Sequence, residues 1–228
     1  MRSTAKWVVA LAATAVSVAT AGSVAGQTCS GRPYYSTGPM QFDAGVGFGR
    51  SEKSYGAAFN VGVDRGPYAG VSIAHVSEET NGASSGPAGT MLGGTIGYQA
   101  NLKTKTVMQV CPVASFERRS MDYNVSDPAT MNRTQGAVGA TMGFVVPTHS
   151  EIHFVPFAGL SYAHRSDLLR VGSSRYTTHE NYTPGVFGMG AHFGSKWMLT
   201  GQVTVPFGLD GADPVYGLSA VLPFGRSR

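Results

Sequence analysis

The most informative shortage in this chain is the shortage of charge. Asp, Glu, Lys and Arg make up 13% of the 228 residues, whereas soluble domains usually contain about 25%. Lys and Arg number 17 and Asp and Glu number 13, which gives a net charge of +4. The net charge is small and the basic residues are not clustered as in a nucleic-acid-binding protein. We therefore expect no nucleic acid partner.

Long apolar runs are also scarce. The longest begins at Trp7 and ends near Ala21, behind two basic residues. It is shorter than the ~20 apolar residues that a membrane-spanning helix needs, and small residues suited to cleavage follow it, as in an export signal. We therefore expect a signal peptide at 1–26, a tail at 27–39 that is periplasmic or enters a lumen, and one domain at 40–228.

Glycine, in contrast, is abundant, with 31 residues, nearly twice the usual share of about 7%. Large apolar side chains alternate with small or polar ones, as in YGLSAVLPF at 216–224. A period of two is typical of β-strands. A soluble β-sandwich or a small ligand-binding barrel, the alternative, would put its large side chains inside. Because the second face here is nearly bare, we expect the bulky face to contact lipid.

The sequence predicts an all-β fold, a transmembrane antiparallel up-and-down barrel. Hydrocarbon offers no partner for backbone N–H and C=O groups, so strands cross a membrane only in a closed sheet. Ten strands are predicted, and eight or twelve remain open if a pair has been split or fused. Even-numbered connections are short and most odd-numbered ones are long, as in bacterial barrels with periplasmic turns and extracellular loops. The predicted strands are 40–50, 54–64, 67–77, 89–100, 106–117, 133–146, 152–164, 182–194, 196–206 and 213–224.

The bulky faces of these strands predict two aromatic belts with an apolar band between them. The periplasmic belt contains Phe42, Tyr98, Phe144, Phe154, Phe193, Trp197 and Phe224, and the outer belt contains Phe48, Tyr55, Phe116, Tyr162 and Tyr216. The band contains Val46, Phe59, Val61, Val71, Ile73, Leu92, Ile96, Val138, Met142, Leu160, Leu199, Val203 and Leu218. Strand eight fits only with a β-bulge near Pro184, because Tyr182 and Phe193 differ in parity.

The alternating strands, the segment FVPFAGLSYAH at 154–164 and the closing YGLSAVLPF resemble the small bacterial outer-membrane β-barrel superfamily, the OmpA-, OmpX- and opacity-protein-like group. The resemblance covers nearly the whole chain after the signal. It implies an outer-membrane location, contact with membrane lipid and lipopolysaccharide, and insertion by the barrel-insertion machinery. In that family the machinery reads a terminal Phe, and here four residues follow Phe224.

The two cysteines predict one disulfide, since an even number in an exported protein favours pairing. Cys111 lies on the strand face opposite Phe116 and is therefore expected in the lumen. A bridge to Cys29 would draw the tail into the barrel from the periplasmic end. Two unpaired thiols are the alternative.

Six arginines are candidates for anion binding in the extracellular loops, because guanidinium groups pair with the phosphates of lipopolysaccharide through two hydrogen bonds. They occupy two predicted loops, and ordinary solvated loop charge is the alternative. The six are Arg118, Arg119, Arg133, Arg165, Arg170 and Arg175.

The fragment AHVSEE places His75 and Ser77 on one strand face, which resembles the outer-membrane lipid A deacylase family. The resemblance implies Ser77 as nucleophile and His75 as base, although Glu78 stands where the family has Asn. An interface histidine beside a loop serine is the alternative, and we expect no enzymatic activity. The segment HSEIH at 149–153 lacks the HExxH spacing of a zinc site, so we expect no metal and no cofactor.

These observations predict a structural or surface-interaction role of the adhesin type, carried by the extracellular loops, with a host or surface ligand as partner. The alternatives are a narrow passive diffusion pore and a lipid A-modifying hydrolase. Small barrels fill their lumen with side chains, while inward glycines such as Gly97 and Gly188 would leave room for a tail or for water.

Overall fold

The computed structural model of the chain describes residue 29 and ten further stretches. The predicted signal peptide and the tail, apart from Cys29, lie outside the described residues. Within the part of the chain that the structure describes, no helix is long and apolar enough to span a membrane. The further stretches are 40–50, 52–63, 66–78, 87–102, 108–123, 129–146, 148, 152–193, 197–209 and 211–224.

The described residues form one antiparallel sheet. Its strands are β1 (Met40–Phe48), β2 (Glu52–Gly62), β3 (Pro67–Glu78), β4 (Ala88–Tyr98), β5 (Ala100–Leu102), β6 (Met108–Tyr123), β7 (Ala129–Phe144), β8 (Ile152–Val171), β9 (Ser174–Phe193), β10 (Trp197–Phe207) and β11 (Val215–Phe224).

The sheet closes into a barrel, because β1 pairs with β11 and β4 pairs with β6. The short β5 continues β4, since both keep the same register on β6: Gly97 lies opposite Val113 and Ala100 opposite Val110. The interruption lies beside Pro112, which has no N–H to donate to the ladder. The predicted ten-stranded up-and-down barrel is therefore confirmed.

Large apolar side chains cover the outside of the barrel. Of the thirteen residues of the predicted apolar band, twelve are 39% to 64% exposed, and Val203 is half-buried. The inward positions of the same strands carry Gly, polar residues and a few buried apolar side chains, such as Val76, Met91 and Val155. This is the inverse of a soluble protein, in which contiguous exposed apolar patches are small. The exterior is suited to hydrocarbon.

The structure differs from the prediction at the end of the barrel opposite Met40 and Phe224, which we call the outer end. The predicted loops at 117–133 and 164–181 are mostly strand, since β6 continues to Tyr123 and β8 and β9 have 20 residues each. Strands were sought by an apolar face. Beyond the membrane a hydrogen-bonded ladder continues with polar residues on both faces, so that criterion ended these strands too early.

The predicted bulge near Pro184 was wrong. The register of β8 on β9 is the same on both sides of it, with Leu160 opposite Gly185 and Ala163 opposite Tyr182. Tyr182 is 4% exposed and points into the barrel, while Phe193 points outward beside Trp197, with 4.3 Å between ring centroids. Two aromatic residues of opposite parity simply occupy opposite faces of a regular strand.

Candidate functional site

The outer half of the lumen holds a set of buried charges that we call the luminal charge cluster. Its three arginines are each 3% exposed or less. Buried guanidinium groups require carboxylate partners, and six strands supply the members. They are Glu52 on β2, Glu78 on β3, Arg119 on β6, Arg133 on β7, Arg165 and Asp167 on β8, and Glu180 on β9.

One part of the cluster is centred on Arg119. Glu52 and Glu78 are cross-strand neighbours, which brings two carboxylates together on the inward face. Arg119 bridges them, with 2.9 Å from Nη1 to Glu52 Oε2 and 3.2 Å from Nη2 to Glu78 Oε1. The guanidinium thus cancels a like-charge contact that would otherwise destabilise the β2–β3 pair.

The other part is centred on Asp167. Arg133, its cross-strand neighbour, donates two hydrogen bonds, from Nε to Oδ1 at 2.8 Å and from Nη2 to Oδ2 at 2.9 Å. Arg165 reaches Asp167 Oδ2 at 3.1 Å and Glu180 Oε2 at 2.8 Å. Burial opposes the charge of Arg133, which lies beyond the outer belt, but the hydrogen bond and ion pair with Asp167 raise its pKa nevertheless.

An apolar cover lies next to the cluster. Leu209, from the connection between β10 and β11, is buried against Ala163 and Tyr182. The Tyr182 hydroxyl donates a hydrogen bond of 2.8 Å to Gln135 Oε1, which satisfies its polar tip. Side chains of β7, β8 and β9 and one loop residue therefore occupy this part of the lumen.

A disulfide joins Cys29 to Cys111, which confirms the predicted bridge. Both residues are almost fully buried and cluster with Tyr68. Cys29 is thus anchored inside the barrel, as expected of a tail that enters the lumen, although the course of 30–39 lies outside the described residues. Cys111 occupies the inward position that strand parity predicted.

Two inward glycines provide room for barrel side chains. A Cβ on Gly97 would overlap the ring of Tyr68, its cross-strand neighbour, and a Cβ on Gly188 would overlap the ring of Phe157. The sequence analysis expected such room for a tail or water. Aromatic rings occupy it at these two positions.

The structure places all six candidate arginines on strands, so the assignment to loops was wrong. Arg119, Arg133 and Arg165 point inward into ion pairs, because residues of odd number on β6, β7 and β8 face the lumen. Arg118, Arg170 and Arg175 are exposed, and anion binding by these three stays a prediction. The sequence reasoning missed the carboxylates of the cluster, although parity alone would have shown Glu52 and Asp167 facing inward.

His75 and Ser77 lie on the outward face of β3, as the spacing predicts. The His75 ring packs on Tyr55, with centroids 5.1 Å apart, and Ser77 Oγ donates to the Lys53 carbonyl at 3.5 Å. Glu78 turns inward to Arg119. None of these contacts joins the serine to the histidine or gives the imidazole a carboxylate, and the hydrolase alternative stays an untested prediction.

Eleven of the twelve predicted belt aromatics are at least 38% exposed, and Phe193 is half-buried. Some form cross-strand contacts on the exterior, such as Phe48 with Tyr216 at 5.8 Å between centroids. Their outward direction follows from strand parity. Their position at the two membrane interfaces stays a prediction.

No protein-family model matches the sequence, and no curated protein matches it significantly. Several solved structures match it over most of its length at low sequence identity. Ail, the attachment invasion locus protein of Yersinia pestis, has 12% identity, a TM-score of 0.43 and coverage of 82% of this chain and 99% of Ail. The translocator domain of the autotransporter NalP from Neisseria meningitidis has 10% identity and a TM-score of 0.46, with coverage of 81% of this chain and 87% of that domain. The N-terminal barrel domain of Pseudomonas aeruginosa OprF has 9% identity and a TM-score of 0.37, with coverage of 81% of this chain and 96% of that domain. Its own closed sheet and apolar exterior show that the chain folds as a transmembrane β-barrel.

Proposed function

We propose that the chain is a surface-interaction protein of the outer membrane whose binding element is the hairpin of β8 and β9. The observation that carries this proposal is a strand edge that has no neighbouring strand among the described residues. Pairing of β10 with β9 ends where Phe207 lies opposite Thr183, while β9 continues to Ser174 with β8 as its neighbour. We call Ser174–Tyr182 the free edge.

Half of the backbone groups in the free edge point away from β8. Val171 and Ser174 flank the two-residue turn Gly172–Ser173, and residues that flank such a turn form a hydrogen-bonded pair. The backbone N–H and C=O groups of the alternate residues on β9 therefore point away from β8, in the plane of the sheet. These residues are Arg175, Thr177, His179 and Asn181. An exposed row of this kind is a template for an added strand.

An extended polypeptide segment is the class of ligand that suits the free edge. Strand addition derives affinity from main-chain hydrogen bonds and specificity from alternate side chains. Residues 172–179 are all exposed, so a partner reaches the hairpin without displacing other parts of the protein. Gly172, with a φ of 56°, permits the tight turn that holds the two strands in register.

Side chains that lie inside the barrel favour this role over a diffusion pore. The luminal charge cluster and Leu209 occupy the outer half, and the disulfide with Tyr68 lies deeper in the barrel. Single-channel recording on the purified protein in planar bilayers tests the pore alternative. Steady ion-selective conductance would favour it.

The surface role is tested by displaying the full chain on bacteria and measuring adhesion to epithelial cells and to fibronectin-coated plates. Thr177→Pro removes one outward N–H and leaves the hydrogen bonds to β8 intact, because Thr177 belongs to the non-hydrogen-bonded pairs. Thr177→Val is the matched control, since it changes the side chain and keeps the N–H.

We expect the parent and Thr177→Val to raise adhesion over cells that carry the empty vector, and Thr177→Pro to lose most of that increase. Surface display is verified in each case with an antibody to an epitope tag. The proposal is wrong if the parent adds no adhesion, or if Thr177→Pro adheres as well as Thr177→Val.

A further inference from the structure

Three side chains with metal-ligating atoms lie in a row at the inner end of the lumen, far from the luminal charge cluster. His153 on β8 lies directly opposite His192 on β9, and Met198 on β10 lies directly opposite His192 on its other side. Directly opposite residues of antiparallel strands share a face. His192 is 6% exposed and Met198 is 1% exposed, so this shared face is the inward one.

Both histidines have a buried ring nitrogen that no group of the described residues satisfies. Within the described part of the chain, His153 Nδ1 and His192 Nε2 have no hydrogen-bond partner. A buried polar atom without a partner costs free energy, and native structures rarely keep one without a reason. Two such atoms on neighbouring histidines indicate a place where a ligand can bind to both rings.

We propose that His153, His192 and Met198 form a binding site for monovalent copper. Cβ atoms of directly opposite residues are about 4.5–5.5 Å apart, a spacing from which two imidazoles and a thioether reach one ion. Thioether sulfur selects Cu(I), and imidazole also suits copper. Calcium and magnesium, which prefer oxygen ligands, do not fit this donor set.

The site lies at the inner end of the barrel. His153 is the second residue of β8, His192 the penultimate residue of β9 and Met198 the second residue of β10. No group of three or more His, Cys, Asp or Glu residues suited to a metal occurs among the described residues. The third donor here is a methionine, and the sequence analysis expected no metal because it examined only the HSEIH segment.

The test is a Cu(I) titration of the folded, disulfide-intact protein in detergent, with ascorbate as reductant and bathocuproine disulfonate as competitor. We expect one Cu(I) per chain, and a loss of affinity of about tenfold or more for His153→Ala and for His192→Ala. Met198→Leu should weaken Cu(I) binding and leave Zn(II) binding unchanged. X-ray absorption of the loaded parent should show sulfur beside nitrogen among the ligands.

His164→Ala is the matched control, because His164 likewise has a second histidine beside it, His179, with 5.8 Å between ring centroids, but lies on an outward position of β8. It should bind Cu(I) like the parent. The proposal fails if the parent binds no stoichiometric Cu(I), if His164→Ala loses binding instead, or if absorption shows nitrogen ligands alone. Folding of each variant is checked by its gel mobility before and after heating. If His192→Ala does not fold, His192→Asn takes its place.

Discussion

At the residue scale, the stability of the barrel interior depends on buried ion pairs, in which each charged group needs its partner. Arg133 is 1% exposed and its guanidinium is matched to the two oxygens of Asp167. Removing one member of a buried pair leaves an uncompensated charge, which is far more costly than losing a pair at the surface.

We therefore predict that Asp167→Ala lowers the free energy of unfolding by about 3–5 kcal/mol. Glu180→Ala is the control, because Glu180 is 38% exposed and Arg165 keeps Asp167 as a partner. Its cost should stay within about 1 kcal/mol. Urea unfolding in detergent, followed by the fluorescence of Trp197, measures both. Equal costs for the two variants would contradict this account of the cluster.

A second residue-scale prediction concerns Gly97 and Tyr68. Gly97→Val should destabilise the barrel by about 1–3 kcal/mol, because the added side chain overlaps the Tyr68 ring. Gly94→Val is the control, since the nearest atom to a Cβ there is 4.0 Å away. In the Tyr68→Ala background the cost of Gly97→Val should shrink, which a double-mutant cycle on the same unfolding curves detects. Independent, additive costs would disprove the contact.

At the element scale, strand parity predicted most of what the structure contains. The ten strands, the outward Leu160 and Leu218 and the inward Cys111 all follow from a period of two. The ends of β6 to β9 did not, because the residues beyond Phe116 and Tyr162 lack the apolar face by which strands were recognised. The partners of Arg133 and Arg165 were missed for a related reason: residues assigned to a loop were given no parity.

The disulfide gives an element-scale prediction. It ties Cys29 to β6 across a sequence separation of 82 residues, and a crosslink of that span stabilises by about 4–5 kcal/mol in the chain-entropy model. Reduced protein should therefore unfold at lower urea concentration than oxidised protein of the same sequence. Since both cysteines are buried, dithiothreitol should reduce the bond slowly in buffer and rapidly in urea. Rapid reduction of the folded protein would contradict the buried position of the bridge.

At the scale of the whole molecule, the defining property is that the apolar face of the sheet forms the outside of the barrel. Large apolar side chains cover the outside, where Leu92, Val138 and Leu160 are more than half exposed. The buried charges of the luminal charge cluster face the lumen. A free-standing object with this surface would aggregate in water. In a bilayer the same surface is satisfied by lipid, and the closed ladder leaves no backbone group in hydrocarbon without a partner.

The most direct test of whether the apolar face contacts lipid is fluorescence quenching by lipids with brominated acyl chains. The protein is prepared without the predicted signal peptide 1–26, and so without Trp7. Trp197 is replaced by Phe, and a single tryptophan is introduced at Leu160 or, as the control, at the adjacent Ser161. The protein is folded into vesicles with and without the brominated lipid. The account predicts strong quenching at 160 and little at 161, because successive residues of a strand face opposite sides of the barrel. Quenching at 161 and not at 160 would show that the apolar face is the interior, and the membrane assignment would be wrong.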